Sequence, residues 1–128
     1  MSHSGAARAG VENLSATLCT EWISSKVRIN CVAPGVIYTD SGFANYGDID
    51  DSSLEKFLGP SGIPAKRLGT AEEVSSAVVW LLSDGASYVT GTVVGVDGGA
   101  AYMFYPLLET DAKTNLPIYG TLPRKARL

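Results

Sequence analysis

Ile29-Asn30-Cys31-Val32-Ala33-Pro34-Gly35-Val36-Ile37-Tyr38-Thr39 decides how the rest of the chain is read. Val27, Ile29, Cys31 and Ala33 recur at every second position, the period of a strand. The alternation predicts a strand over 27–33, stopped by the turn dipeptide Pro34-Gly35. Working outward, Tyr88-Val89-Thr90-Gly91 leads into Val96-Asp97-Gly98-Gly99. The residues between, Gly91-Thr92-Val93-Val94-Gly95-Val96, are β-branched and apolar on both faces, as in a parallel strand covered on both sides. Asp97-Gly98-Gly99 reads as the turn that closes it.

Two helices flank these strands. Ala7, Val11, Leu14, Leu18 and Trp22 follow helical spacing, so residues 5–24 are expected to be helical, with Ser4 as N-cap. Thr70-Ala71-Glu72-Glu73 has the form of a capping box, in which the Thr70 hydroxyl caps an N–H and Glu73 reaches back. The helix it opens buries Val74, Ala77, Val78, Leu81 and Leu82. Strand, helix, strand then forms one crossover unit of an α/β fold. Residues 40–64 are rich in Asp, Ser, Gly and Pro, and a segment of that length reads as a lid or binding loop. Phe43, Tyr46, Phe57 and Leu58 are its apolar anchors. Residues 103–128, punctuated by Pro106, Pro117 and Pro123, have no periodicity and read as a surface tail.

Composition narrows the function classes. The chain has 128 residues, 45% of them apolar, a net charge of -3 and a mean hydropathy of +0.12, which is globular. Ten basic residues without strong clustering outside the tail argue against a nucleic-acid-binding surface. Cys19 and Cys31 fall in no metal-ligand spacing, and Cys31 reads as a buried thiol. Trp22 and Trp80 read as packing residues. His3, the single histidine, stands at the very start of the chain and is not expected to be catalytic. No apolar run reaches the roughly 18 residues that a membrane span needs.

Three stretches, His3 to Val11, Ile29 to Thr39 and Tyr88 to Gly99, resemble the short-chain dehydrogenase/reductase family over nearly the whole chain to about residue 102. The resemblance implies the C-terminal portion of a doubly wound Rossmann-type parallel sheet domain over 1–102, with 103–128 as an irregular tail. The Gly-rich phosphate cradle of that fold is not found in the sequence. About half a fold is expected to be present, and the 128 residues alone are expected to be inactive.

The family's helix opens Tyr-x-x-x-Lys. Alignment on Ala9-Gly10-Val11 puts Ser4 in the tyrosine slot and Arg8 in the lysine slot. A carbonyl reductase needs an acid beside its developing alkoxide, and a serine is too weak an acid. Reduction of a double bond conjugated to a thioester has a different need, for donors to the thioester oxygen. The run Ser4 to Val11, with Glu21-Trp22 after it, is similar to the peroxisomal trans-2-enoyl-CoA reductases. The 2,4-dienoyl-CoA reductases also lack the tyrosine but tend to keep a lysine, so Arg8 favours the enoyl enzymes. A truncated, non-catalytic chain is the competing reading.

By this resemblance NADP is the cofactor and an acyl-CoA the substrate, and the parent is a homo-oligomer. Ser4 and Arg8 are the catalytic candidates. Arg8, Pro34, Gly35, Ile37 and Thr39 are the cofactor-binding candidates, with the Ile37 backbone at the nicotinamide carboxamide. Arg8 as a solvated helix residue and Thr39 as a loop cap are the plainer alternatives. Ala126-Arg127-Leu128 is a variant of the peroxisomal address Ser-Lys-Leu, so the peroxisomal import receptor is an expected partner.

Overall fold

The computed structural model describes residues 2–41, 58, 62–102 and 117–123. Most of the loop expected over 40–64 lies outside them, as do 103–116 and the terminal tripeptide. Along the described chain run helix α1 (Ser2–Trp22), strand β1 (Cys31–Pro34), helix α2 (Ala71–Leu82) and strand β2 (Val93–Val96), with single 3-10 turns at Ile23–Ser25, Asp84–Ala86 and Ala100–Tyr102. β1 and β2 are parallel neighbours in a two-stranded sheet, so the class is α/β. The chain divides into two compact units, one formed by 1–33 and 76–94 and the other by 34–75 and 95–128.

In the first unit α1 begins before Ser4, so the expected N-cap is an interior helix residue. Ala6, Ala7 and Ala9 follow it, and alanine is the best helix former, so the helix extends through this stretch. The 3-10 turn that follows α1 ends where Lys26 takes the left-handed conformation at φ 62 and donates its N–H to the Ile23 carbonyl at 2.9 Å. The buried side chain of α1 is Cys19, while Val11, Leu14 and Trp22 of the expected stripe are exposed. Cys19 rather than Cys31 is therefore the buried thiol. Cys31 is half-buried and donates to Ser15 Oγ at 3.1 Å. Cys19 packs against Gly91, where φ is +71 and an added Cβ would stand 2.6 Å from Sγ. Only a glycine fits there.

The strand expected over 27–33 is shorter and shifted, because polar side chains supply most of the bonds at its start. Arg28 donates to the Val89 carbonyl at 3.0 Å and the Leu81 carbonyl at 2.6 Å. Asn30 donates to the Val89 carbonyl at 3.0 Å and accepts from the Thr92 N–H at 3.2 Å. The Ile29 N–H donates to Thr90 Oγ1 at 3.1 Å. Backbone pairing runs beside these bonds, from the Gly91 N–H to the Ile29 carbonyl at 2.7 Å and from the Cys31 N–H to the Thr92 carbonyl at 2.9 Å. On α2, Leu81 is buried and Val74 and Ala77 are half-buried, but Leu82 is 79% exposed. Trp80 is exposed like Trp22, so neither is the packing residue expected. β2 alternates exposed and half-buried, so cover on both faces is not seen at Val93.

The second unit carries a buried apolar cluster. Leu58, Ile63, Ala65, Leu68 and Leu122 are buried together, with Val36, Tyr38, Ala100 and Ile118 packed against them. Two residues of the proline-rich tail, Ile118 and Leu122, thus belong to this core. The capping box forms as the sequence predicts. Glu73 N–H donates to Thr70 Oγ1 at 3.1 Å, and Thr70 N–H to Glu73 Oε2 at 2.9 Å. The Thr70 hydroxyl proton is used as well, on the Tyr119 carbonyl.

Thr70→Ala removes a cap and leaves the Tyr119 carbonyl without this donor, so it is expected to cost about 1–2 kcal/mol. Thr70→Ser keeps the hydroxyl and loses one methyl, and is expected to cost less. Urea unfolding of the three proteins checks this. Equal loss in both variants would mean that the methyl, not the cap, matters.

Candidate functional site

The C-terminal end of β1 is built by close approach. Gly35 donates its N–H to the Val96 carbonyl at 3.0 Å, and a Cβ there would stand 2.7 Å from the Asp97 Cα. The two backbones can touch only because the side chain is absent. Beyond it, Ile37 and Gly69 form an isolated parallel bridge. Its two bonds run from the Gly69 N–H to the Val36 carbonyl at 3.0 Å and from the Tyr38 N–H to the Gly69 carbonyl at 2.9 Å. In a parallel bridge of this type the central residue turns its own N–H and C=O away from the partner. Among the described residues neither group of Ile37 has a partner. The chain therefore presents one donor and one acceptor side by side.

A cleft of about 390 Å³ lies in this unit, lined among others by Ile37, Arg67, Gly69, Glu73, Asp97 and Gly99. Its charged wall is fully partnered. Arg67, 7% exposed, donates to Glu73 Oε2 at 2.9 Å, to Glu73 Oε1, to the Leu68 carbonyl at 3.0 Å and to the Pro117 carbonyl at 2.8 Å. Burial alone would raise the Glu73 pKa. The Arg67 hydrogen bonds, the Thr70 N–H and the Arg67 charge outweigh it and hold the carboxyl below its ordinary value. Asp97 closes β2 as expected, accepting from the Gly99 N–H at 2.9 Å and the Ala101 N–H at 2.8 Å, while Gly98 and Gly99 sit at φ +61 and +86.

The candidates from sequence fall as follows. Ser4, half-buried, and Arg8, exposed, stand one turn apart on α1 in the first unit. Pro34 is the exposed last residue of β1, and Gly35, Ile37 and Thr39 follow it, half-buried, in the second unit. Sequence reading missed Arg67. Its partner Glu73 is six positions on, with the start of α2 between them, and no helical or strand period links such a pair. It also missed Tyr38, whose hydroxyl donates to Asp40 Oδ1 at 3.1 Å. That hydrogen bond, then desolvation and the Asp40 charge, raise the phenol above its ordinary pKa. Tyr38 is thus a weaker acid than a free tyrosine.

Comparison with known proteins gives a consistent picture. Residues 1–101 match a family model described as enoyl-(acyl carrier protein) reductase. A 3-oxoacyl-[acyl-carrier-protein] reductase of Chlamydia trachomatis is 42% identical over 96 residues, covering 75% of this chain and 36% of that protein. A peroxisomal 2,4-dienoyl-CoA reductase of Rattus norvegicus is 41% identical over 98 residues, covering 77% of this chain and 32% of that protein. The chain therefore spans about a third of the length of these relatives. In structure it is similar to a short-chain type dehydrogenase/reductase from Mycobacterium ulcerans, with a TM-score of 0.68 and 33% identity over 77% of this chain and 34% of that one.

The lowered Glu73 pKa has a signed consequence for stability. A depressed folded-state carboxyl contributes in full above its ordinary pKa of about 4.5, and the contribution is lost as pH falls through the lower folded value. The difference in unfolding free energy between the parent chain and Glu73→Gln is expected to be constant near neutrality and to shrink below about pH 4.5. Denaturant titrations across that range measure it. A difference that grows in acid would contradict the assignment.

Proposed function

This chain belongs to the short-chain dehydrogenase/reductase family, and from that premise we propose that it serves an NADPH-dependent reduction of trans-2-enoyl-CoA thioesters. A reduced nicotinamide, when bound, supplies the hydride. Support for the cofactor comes from Ile37, whose outward N–H and C=O match the acceptor and donor of a carboxamide. Gly35, two residues before, lets this backbone lie close against Asp97, and Thr39 is assigned to extend the contact. Arg8 is assigned to the ribose hydroxyls as a permanent cation.

The choice of reaction rests on Ser4. It occupies the position where the family places a phenol, and a serine hydroxyl cannot act as a comparable acid. Addition to the β-carbon of a conjugated thioester gathers negative charge on the thioester oxygen. That charge needs hydrogen-bond donors, a demand that Ser4 can help to meet. The α-carbon then takes a proton from water or from another group. Similarity to the rat 2,4-dienoyl-CoA reductase favours a second reading, reduction of a dienoyl thioester. Arg8 in place of a lysine is the feature that favours the first.

The basic end Pro123-Arg124-Lys125-Ala126-Arg127-Leu128 extends the proposal to location. A peroxisomal import receptor reading Ala126-Arg127-Leu128 would bring the chain to a compartment of acyl-CoA metabolism. The parent is proposed to be a homo-oligomer.

In the active enzyme, trans-2-enoyl-CoA is expected to be turned over with NADPH in preference to 2,4-dienoyl-CoA and 3-oxoacyl thioesters. Arg8→Ala is expected to raise KM for the cofactor and lower kcat. Ser4→Ala should stay within about tenfold of the parent, because the hydroxyl is one donor and not the acid. Steady-state kinetics against the three substrates tests the set, and a preference for 3-oxoacyl thioesters would refute it.

A fluorescent protein carrying the last dozen or so residues at its C-terminus is expected in peroxisomes, and in the cytosol once Leu128 is deleted. Microscopy of the two fusions decides, and a diffuse intact fusion would remove the peroxisomal assignment.

A further inference from the structure

We infer that the cleft beside Ile37 receives the acyl chain of the thioester, and that Gly95 sets the length of chain it admits. The inference rests on the enoyl-thioester reading above. It begins from a glycine that no backbone demand explains. Gly91, Gly98, Gly99 and Gly120 have positive φ, and Gly35 is pressed against the Asp97 backbone. Gly95, between Val94 and Val96 inside β2, has neither reason. Among the described residues a Cβ there would meet only the Asp97 carboxyl, at 3.9 Å, an ordinary contact. Glycine inside a strand weakens it, and it often marks a place where a ligand or another backbone lies close. Gly95 and Asp97 are two positions apart, on one face, and both line the cleft of about 390 Å³. A side chain at 95 would therefore enter it.

The rest of the lining says what fits. Ile63 and Ala65 are buried, and Val36, Ile37 and Val96 are half-buried, so much of the wall is aliphatic. The charged side chains among the lining residues are already engaged. Arg67 and Glu73 bond one another, and the two Asp97 oxygens accept from the Gly99 and Ala101 N–H groups. No charge is left over to select an ionic group, so an uncharged apolar chain matches the cleft. Its volume lies in the range of small-molecule sites, about 300–1,000 Å³. Ile37 ties the cleft to the reaction, because it lines the cleft and its backbone is the group assigned to the carboxamide. Hydride passes from the nicotinamide to the β-carbon, so the chain beyond that carbon starts beside Ile37 and continues toward Gly95.

The test titrates the 128-residue chain with N-acetylcysteamine thioesters of trans-2-butenoic and trans-2-octenoic acids. Nitrogen–proton NMR follows the amides of Ala65, Gly95 and Gly98. These amides are expected to shift with both thioesters, and the octenoyl compound to bind about tenfold more tightly, because its longer chain buries more apolar area. Gly95→Leu is expected to remove that tenfold advantage while the butenoyl affinity stays as in the parent chain. Sedimentation of both proteins is measured at the same concentrations.

If Gly95→Leu fails to fold, Gly95→Ala decides, since its added methyl meets nothing closer than 3.9 Å. It is expected to weaken octenoyl binding and spare butenoyl binding, and affinities equal to the parent's would overturn the inference. Shifts confined to amides outside the cleft, or an octenoyl advantage untouched by leucine at 95, overturn it and leave the proposed reaction standing. A variant that changes sedimentation and not thioester binding overturns it in favour of a second copy's backbone against Gly95. No shift with either thioester also overturns it, while the reaction itself is judged by the kinetics of the active enzyme.

Discussion

The carboxylate of Glu73 is the point on which the cleft-bearing unit depends. It receives a guanidinium from Arg67 and a backbone N–H from Thr70. Hydrogen bonds to a charged group contribute about 1.5–3 kcal/mol each, more than neutral ones. The links continue from there. Arg67 holds the Pro117 carbonyl, and Thr70 holds the Tyr119 carbonyl. The tail segment that carries Ile118 and Leu122 into the core is thereby tied to the start of α2. Gly69, one residue before the cap, carries the bridge to Val36 and Tyr38. A single anion thus organises helix start, tail and cleft wall, and among the described residues no buried side-chain polar atom is left without a partner.

Much of this was legible in the sequence where the physics is local. The capping box is four consecutive residues, and its two reciprocal bonds are those that the spacing implies. Pro34-Gly35 marked the end of β1, and Asp97-Gly98-Gly99 marked a turn that only glycine can make at positive φ. The errors came where a distant segment decided. Ser4 looked like a cap because serine favours that place, but the alanines after it carry the helix through. The alternation of Val27 to Ala33 suggested a longer strand, since the pattern cannot show that Arg28 and Asn30 would bond through their side chains. The apolar stripe of α1 was correctly periodic, yet Val11, Leu14 and Trp22 are exposed. Periodicity reports which face is apolar, not whether anything covers it.

The candidate site divides in the same way. Pro34, Gly35, Ile37 and Thr39 are candidates because they fall in one short stretch at the strand's end, and of the four Ile37 lines the cleft. Arg67 was not a candidate, because what makes it part of the cleft wall is its pairing with Glu73 and with a carbonyl of the tail. The free amide pair of Ile37 was expected from resemblance. Its physical origin, a bridge to a residue thirty-two positions away, emerges only when the backbone is folded.

The Arg28 guanidinium has a consequence for how this chain can change over time. Its two bonds end on Leu81 and Val89, so one planar fork measures the span of the turn between them. Asn30 carries the measure onward from Val89 to Thr92. Substitutions at the exposed positions of Ser83–Tyr88 leave these carbonyls where they are, whereas the buried Ala86 has no room for a larger side chain. An inserted or deleted residue moves one end of the fork relative to the other and breaks several polar contacts together. Apart from the buried Ala86, this turn is free to drift in composition but not in length, unlike most surface connections, which tolerate gain and loss of residues.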